Sequence, residues 1–207
     1  VIGIGKLGLC FALTIERKGY NVVGVDLREE YIGMVNDRTL VSQEPDVENY
    51  LTQSKNLIAT TDIKMGLEHS DVIFLFVATP SLANGRYDHS QIERVVKLLA
   101  EYGSLSQSKH LIIGCTTMPG YCDTVQERLQ PYGYTVSYNP EFIAQGSVLI
   151  DLVKPDILLI GQENQSACDT IESVYLSIFQ NEPSIHRMSR KEAEITKIAL
   201  NCFLTTK

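Results

Sequence analysis

Short apolar runs alternate along the chain with stretches in which apolar residues recur at helical spacing. The runs are VVGVD (22–26), NLIAT (56–60), DVIFLFVAT (71–79), HLIIGCTT (110–117), YTVSY (134–138) and DILLIG (156–161). Between them Ile92, Val95, Val96 and Leu99 fall at i, i+3, i+4 and i+7, as do Ile171, Val174, Tyr175 and Ile178; this spacing marks one buried face of a helix. Strands that are apolar throughout are buried on both faces, so their alternation with amphipathic helices predicts a mostly parallel sheet covered on both sides. The expected fold is α/β, a doubly wound, mostly parallel Rossmann-type sheet.

The pattern changes near Met188. SRKE (189–192) has the Ser-x-x-Glu form of a capping box and predicts a helix starting at about residue 190. Ile195, Ile198, Ala199, Cys202 and Thr206 would share one face of it. The expected division is a domain over 1–188, followed by the start of a long connecting helix over 189–207. The chain begins at Val1, two residues before a glycine turn, and its last helical pattern stops without glycine or proline, so it reads as a piece of a longer polypeptide.

The opening segment carries the first chemistry. Gly3-x-Gly5-x-x-Gly8 follows strand residues and precedes a helix, and the second strand ends in Asp26. In a βαβ unit these glycines make the turn, admit a pyrophosphate to the backbone and let helix and strand pack closely. The helix amides hold phosphate without net positive charge. Asp26 would accept hydrogen bonds from the adenosine ribose and repel a 2′-phosphate, which favours NAD over NADP. Arg28 is open to two readings, a residue that accommodates such a phosphate or a solvated first-turn side chain; the second is favoured.

Composition fits this picture. With 18 Lys+Arg against 25 Asp+Glu the net charge is −7, which disfavours nucleic acid and anionic membranes as partners. The longest apolar run, 72–78, is far below the roughly 20 residues of a membrane span. The five cysteines, Cys10, Cys115, Cys122, Cys168 and Cys202, show no metal-binding spacing. A reduced, cytoplasmic protein without a metal is expected. His69, His89, His110 and His186 read as solvated, forming neither a triad nor a metal set.

Ligands of doubly wound sheets sit at the carboxyl ends of strands. Three such ends stand out: VATP (77–80), CTTMPG (115–120) and YNPEFIAQG (138–146), each joining a hydroxyl or carboxylate to a proline that stiffens the turn. Glu141, set between Pro140 and Phe142, is the best base candidate, because a half-apolar surrounding disfavours the ionised form of a carboxylate. No tyrosine is followed by lysine four residues later, which argues against dehydrogenases built on that pair.

GIGKLG, VATP, CTTMPG, NPEFIAQGSVLIDLVKPDILLIG and EAEITKIALNCFLTTK, in this order, resemble the amino-terminal part of the UDP-glucose/GDP-mannose dehydrogenase family. The resemblance implies an NAD-dependent enzyme that oxidises the primary alcohol of a nucleotide-linked sugar to a carboxylate in two hydride transfers, the second through a cysteine thioester. The implied cofactor-binding set is Gly3, Ile4, Gly5, Lys6, Leu7, Gly8 and Asp26, with Val77, Thr79, Pro80, Thr116 and Gln145. The implied catalytic set is Glu141, facing the sugar and a water, Thr116 on the nicotinamide side, and Lys207, a cation steadying charge on the reacting oxygen.

Two positions depart from the family pattern. Gln145 stands where a second acid is usual, and Thr117-Met118 where Val-Pro is usual. The family's Gly-Gly-x-Cys nucleophile segment does not occur, and Cys115 takes the place of a serine. The expected partners are a nucleotide sugar and a second copy joined through the central helix. The alternatives are a 3-hydroxyacid or 6-phosphogluconate type of dehydrogenase and a non-catalytic NAD-binding module.

Overall fold

The structure is a computed structural model and describes residues 1–103 and 107–206. In chain order the elements are α1 (Lys6–Glu16), β1 (Val22–Val25), α2 (Glu29–Asn36), α3 (Val47–Gln53), β2 (Leu57–Thr60), α4 (Ile63–His69), β3 (Val72–Leu75) and α5 (Ser90–Tyr102). There follow β4 (Lys109–Ile113), α6 (Tyr121–Leu129), β5 (Tyr134–Tyr138), α7 (Val148–Val153), β6 (Ile157–Gly161), α8 (Gln165–Ile178), β7 (Ser184–Met188) and α9 (Arg190–Thr206). This is the alternating α/β architecture expected, Rossmann-like and mostly parallel, with a long helix at its end. The chain divides into two compact units.

The first unit comprises 1–70, 142–157 and 172–184. Its strands β1 and β2 pair in parallel, and Ile2 bridges Val25 on the other side of β1. All four residues of β1 are buried, as its unbroken apolar run requires. Helix α1 places Leu9, Phe11, Ala12 and Leu13 in the core, and Phe11 meets the Tyr175 ring at 5.6 Å. At its end the buried Glu16 accepts from the amides of Lys55 and Asn56, both at 2.7 Å. That carboxylate fixes the approach to β2.

The second unit comprises 71–141, 158–171 and 185–207. Strands β3, β4 and β5 run parallel, β6 lies antiparallel to β5 through Tyr138 and Gly161, and β7 lies beyond β6. Helix α5 buries the expected face of Ile92, Val95, Val96 and Leu99. The ladders of β3 and β4 stop at Leu75 and Ile113, earlier than their apolar runs; Phe76 and Cys115 continue the burial without continuing the ladder. Strand β7 has a mostly exposed, polar sequence, SIHRM, that gives no apolar signal; backbone pairing of Gln162 N–H with Met188 O at 2.8 Å marks it.

Helix α9 starts where the capping box puts it: Ser189 N–H donates to Glu192 Oε2 at 2.9 Å, and Ser189 Oγ lies 3.3 Å from the Glu192 amide. Its inner face is not the expected one. Ile195 is 49% exposed, whereas Ala193, Glu194 and Lys197 are buried. The reason is what lies beneath. A Cβ built on Gly161 would come within 2.8 Å of Ala193 Cβ and 3.0 Å of Arg190 Cα, so α9 sits almost directly on β6, where only small or polar-paired side chains fit.

His110 also departs from expectation, being buried in β4 rather than solvated. Its Nε2 lies 2.6 Å from Ser137 Oγ on β5, and Ser137 Oγ in turn accepts from Gln162 Nε2 at 2.9 Å. Burial pushes the His110 pKa down to about 4. Between that value and the ordinary 6.5 the unfolded chain binds more protons than the folded one, so stability rises with pH there. Acidification from pH 7 to 4 should therefore remove about 2–3 kcal/mol through this residue. Chemical denaturation across that range should show the loss, and His110→Asn should remove this part of the slope.

Candidate functional site

In the first unit the glycine turn and Asp26 meet at one end of β1. Gly3 N–H donates to Val25 O at 2.7 Å, with φ of 83° at Gly3, and Asp26 is the next residue after Val25. Gly5 is the N-cap of α1 and forms no side-chain capping bond, and no acid occupies the first turn. The helix therefore offers the amides of Lys6, Leu7 and Gly8 to an anion. A Cβ built on Gly5 would meet no protein atom within 4 Å, so the open side of the turn is a place where a phosphate can approach the backbone. These residues fit a dinucleotide. Ile4 is buried and Lys6 exposed.

Arg28 is exposed at the start of α2, as the reading favoured from the sequence has it, and is also paired. Its Nε donates to Asp26 Oδ1 at 2.9 Å and its Nη2 to Oδ2 at 3.0 Å. Gln145 is exposed on a loop of the same unit. That loop is anchored by the buried Glu44, whose two carboxylate oxygens accept from Gly146 N–H at 3.0 and 2.9 Å.

In the second unit the ends of three neighbouring strands carry the other expected residues. Cys115 joins the first two: Val77 N–H donates to its Sγ at 3.2 Å, and its thiol donates to Leu75 O at 3.3 Å. Val77 and Thr116 are thereby held close, both half-buried, with Thr79 half-buried and Pro80 exposed on the outgoing loop. Burial pushes the Cys115 thiol up to about 12. It is a structural tie and not a nucleophile. Asn139, at the end of β5, donates from Nδ2 to Leu159 O at 2.9 Å, while its buried Oδ1 has no hydrogen-bond partner among the described residues.

Glu141 follows, half-buried. Its carbonyl accepts from Lys197 Nζ at 2.7 Å. Lys197 is 9% exposed, and burial holds its pKa below the ordinary lysine value, partly opposed by the charge of Glu141. Sequence reasoning missed this lysine by seeking the inner face of α9 among its isoleucines. Lys207, the cation expected here, lies outside the described residues.

Glu194 was missed for the same reason. It is fully buried and accepts from Thr117 Oγ1 at 2.8 Å, Gly120 N–H at 2.5 Å and Cys122 N–H at 2.9 Å. Gly120, with φ of 85°, is the N-cap of α6 and has no side chain to cap it. Glu194 supplies the cap from α9. Thr117, one of the departures in the strand-end motif, gives this carboxylate its hydroxyl partner.

Among the described residues no group of three or more His, Cys, Asp or Glu is placed to hold a metal, and no helix is long and apolar enough to cross a membrane.

Comparison with known proteins places these features. The pattern described as the UDP-glucose/GDP-mannose dehydrogenase family, NAD binding domain, matches residues 1–179. A UDP-glucose 6-dehydrogenase of Rickettsia bellii is 28% identical over 211 residues, 100% of this chain and 48% of the relative. A GDP-mannose 6-dehydrogenase of Pseudomonas aeruginosa is 27% identical over 219 residues, 100% of this chain and 50% of the relative. The chain spans about half the length of these curated relatives. The crystal structure of a ternary complex of the Pseudomonas aeruginosa GDP-mannose dehydrogenase superposes with a TM-score of 0.91 at 27% identity, covering 99% of this chain and 49% of that one.

Proposed function

Because the chain belongs to the UDP-glucose/GDP-mannose dehydrogenase family and carries its NAD-binding domain, we propose that it is the cofactor-binding part of a nucleotide-sugar 6-dehydrogenase. The intact enzyme oxidises the primary alcohol of the sugar to a carboxylate at the expense of two NAD. The observation that carries this reading is the buried ammonium of Lys197 at 2.7 Å from the Glu141 carbonyl, at the end of a strand that neighbours the one leading to Thr116.

When bound, NAD accepts hydride from the alcohol carbon. The chain's own residues do the rest. The amides of the Gly3–Gly8 turn receive the pyrophosphate, and Asp26 receives the ribose hydroxyls. Thr79 and Thr116 bound the nicotinamide side. Lys197 steadies negative charge on the reacting oxygen together with Lys207, the cation that the resemblance implies, because a cation held in dry surroundings acts far more strongly than in water. Glu141 holds the proton of the alcohol or of a water. Gln145 offers an amide contact and no proton transfer. Helix α9 contributes to the central helix through which two copies of the intact protein pair in the cytoplasm.

The test is stoichiometric. The intact protein, given UDP-glucose, GDP-mannose or UDP-N-acetylmannosamine in turn, should form two NADH per sugar consumed with one of them. One NADH per substrate would point to the hydroxyacid class, and no turnover of any nucleotide sugar would overturn the reading.

A further inference from the structure

The arrangement around Asp26 bears on which dinucleotide the turn selects. An acid at this position discriminates because its unpaired negative charge repels a 2′-phosphate while its oxygens accept from ribose hydroxyls. In this chain that charge is paired. The Arg28 guanidinium grips both carboxylate oxygens, at 2.9 and 3.0 Å, and the Arg28 amide adds a third bond to Oδ1 at 3.2 Å.

The arginine is itself held in place. Its guanidinium carbon lies 4.0 Å from the centre of the Tyr31 ring, within cation–π range. Tyr31 donates its hydroxyl to Ile4 O at 2.7 Å, inside the glycine turn. Burial pushes that phenol up to about 12, so it remains a donor at any working pH. The inner edge of the fork thus faces Asp26, one face lies on Tyr31, and Tyr31 is tethered to the segment that receives the pyrophosphate.

The outer edge is different. The Arg28 side chain is 56% exposed, against 12% for Asp26. A guanidinium has five N–H donors, of which the bonds to Asp26 occupy two, on a side chain that stays more than half exposed. An anion beside the ribose position would meet these donors before it met the carboxylate, whose charge the fork has already offset.

We propose that Arg28 is a specificity-determining residue that cancels the repulsion of Asp26 toward a 2′-phosphate, so that this site accepts NADP as well as NAD. The inference rests on the dinucleotide reading of the glycine turn. Asp26 keeps its capacity for a ribose hydroxyl through Oδ2, which has a second lone pair beyond the one used by the fork, whereas Oδ1 already accepts from Nε and from the Arg28 amide. Binding of NAD therefore survives, and the barrier against the phosphorylated dinucleotide falls.

Direct binding of the reduced cofactors to the intact protein, by titration calorimetry or nucleotide fluorescence, tests this without turnover. The wild type should bind NADH and NADPH within about tenfold of each other, and Arg28→Ala should weaken NADPH by about tenfold or more while changing NADH less than about threefold. Arg28→Gln, which keeps a planar group over Tyr31, should shift the ratio the same way and guards against a local rearrangement in the alanine variant. An NADH-to-NADPH affinity ratio that changes less than about threefold in both variants would overturn the proposal for Arg28 alone. Failure of the wild type to bind either dinucleotide would overturn it together with the NAD reading of the turn.

Discussion

Replacing Lys197 by methionine should lower kcat of the intact protein by about 10²- to 10³-fold, while its unfolding free energy stays within about 1 kcal/mol of the wild type. The two halves of this expectation have one cause. A lysine that is only 9% exposed has given up most of its water, and burial holds its pKa below the ordinary value. For folding, that desolvation is a cost, which its hydrogen bond to the Glu141 carbonyl offsets; methionine fills the same volume and removes the cost, at the loss of one donor to the carbonyl of a half-buried residue. For catalysis, the same dry surroundings make the cation effective against charge that develops on the reacting oxygen. Steady-state kinetics beside urea denaturation of the same preparations separates the two. A variant with kcat within threefold of the wild type would remove Lys197 from the reaction.

Glu194→Ala should act in the opposite sense, as a folding defect of about 3–5 kcal/mol. Three donors converge on this carboxylate, from Thr117, Gly120 and Cys122. Alanine would leave the buried amide of Cys122 and the part-buried amide of Gly120, at the start of α6, without this acceptor. Each buried donor stranded in this way costs about 1–3 kcal/mol, and the cavity adds to it. Glu194→Gln keeps the volume and one acceptor oxygen but turns an NH₂ group toward an N–H donor, so a smaller loss of about 1–2 kcal/mol is expected. Denaturation midpoints measure both. If the alanine variant unfolds at the wild-type midpoint, Glu194 is not the cap of α6.

How far the sequence reveals this molecule depends on what kind of force acts at each place. Strands such as β1 and β5 and the inner faces of α5 and α8 are legible because burial of apolar side chains leaves a period. The glycine turn is legible because backbone approach to a phosphate requires residues without side chains. The inner face of α9 is not legible by that rule. Its neighbours are Gly161 and the uncapped start of α6, so the residues that fit are Ala193 and the acceptor Glu194, while Ile195 turns outward. Strand β7 stays hidden because its pairing is by backbone, and backbone leaves little mark on composition. Arg28 is exposed as expected, but its pairing with Asp26 is not legible, because two residues along a chain tell nothing of whether a fork closes on a carboxylate. A Glu at i and Lys at i+3 on a helix next to an Ala, as in Glu194, Lys197 and Ala193, is a signal that could have located the polar face.

The anchor formed by Glu44 links residues 102 positions apart in the chain. Around it the segment is organised locally: Ser42 Oγ accepts from the Glu44 amide at 3.1 Å, and the Ser42 amide donates to Glu48 at the same distance. Synthesis runs from the amino terminus, so residues 42–48 are translated before residue 146. The loop that carries Gln145 then closes onto a partner already waiting. Its conformation therefore rests on a carboxylate set far back along the chain.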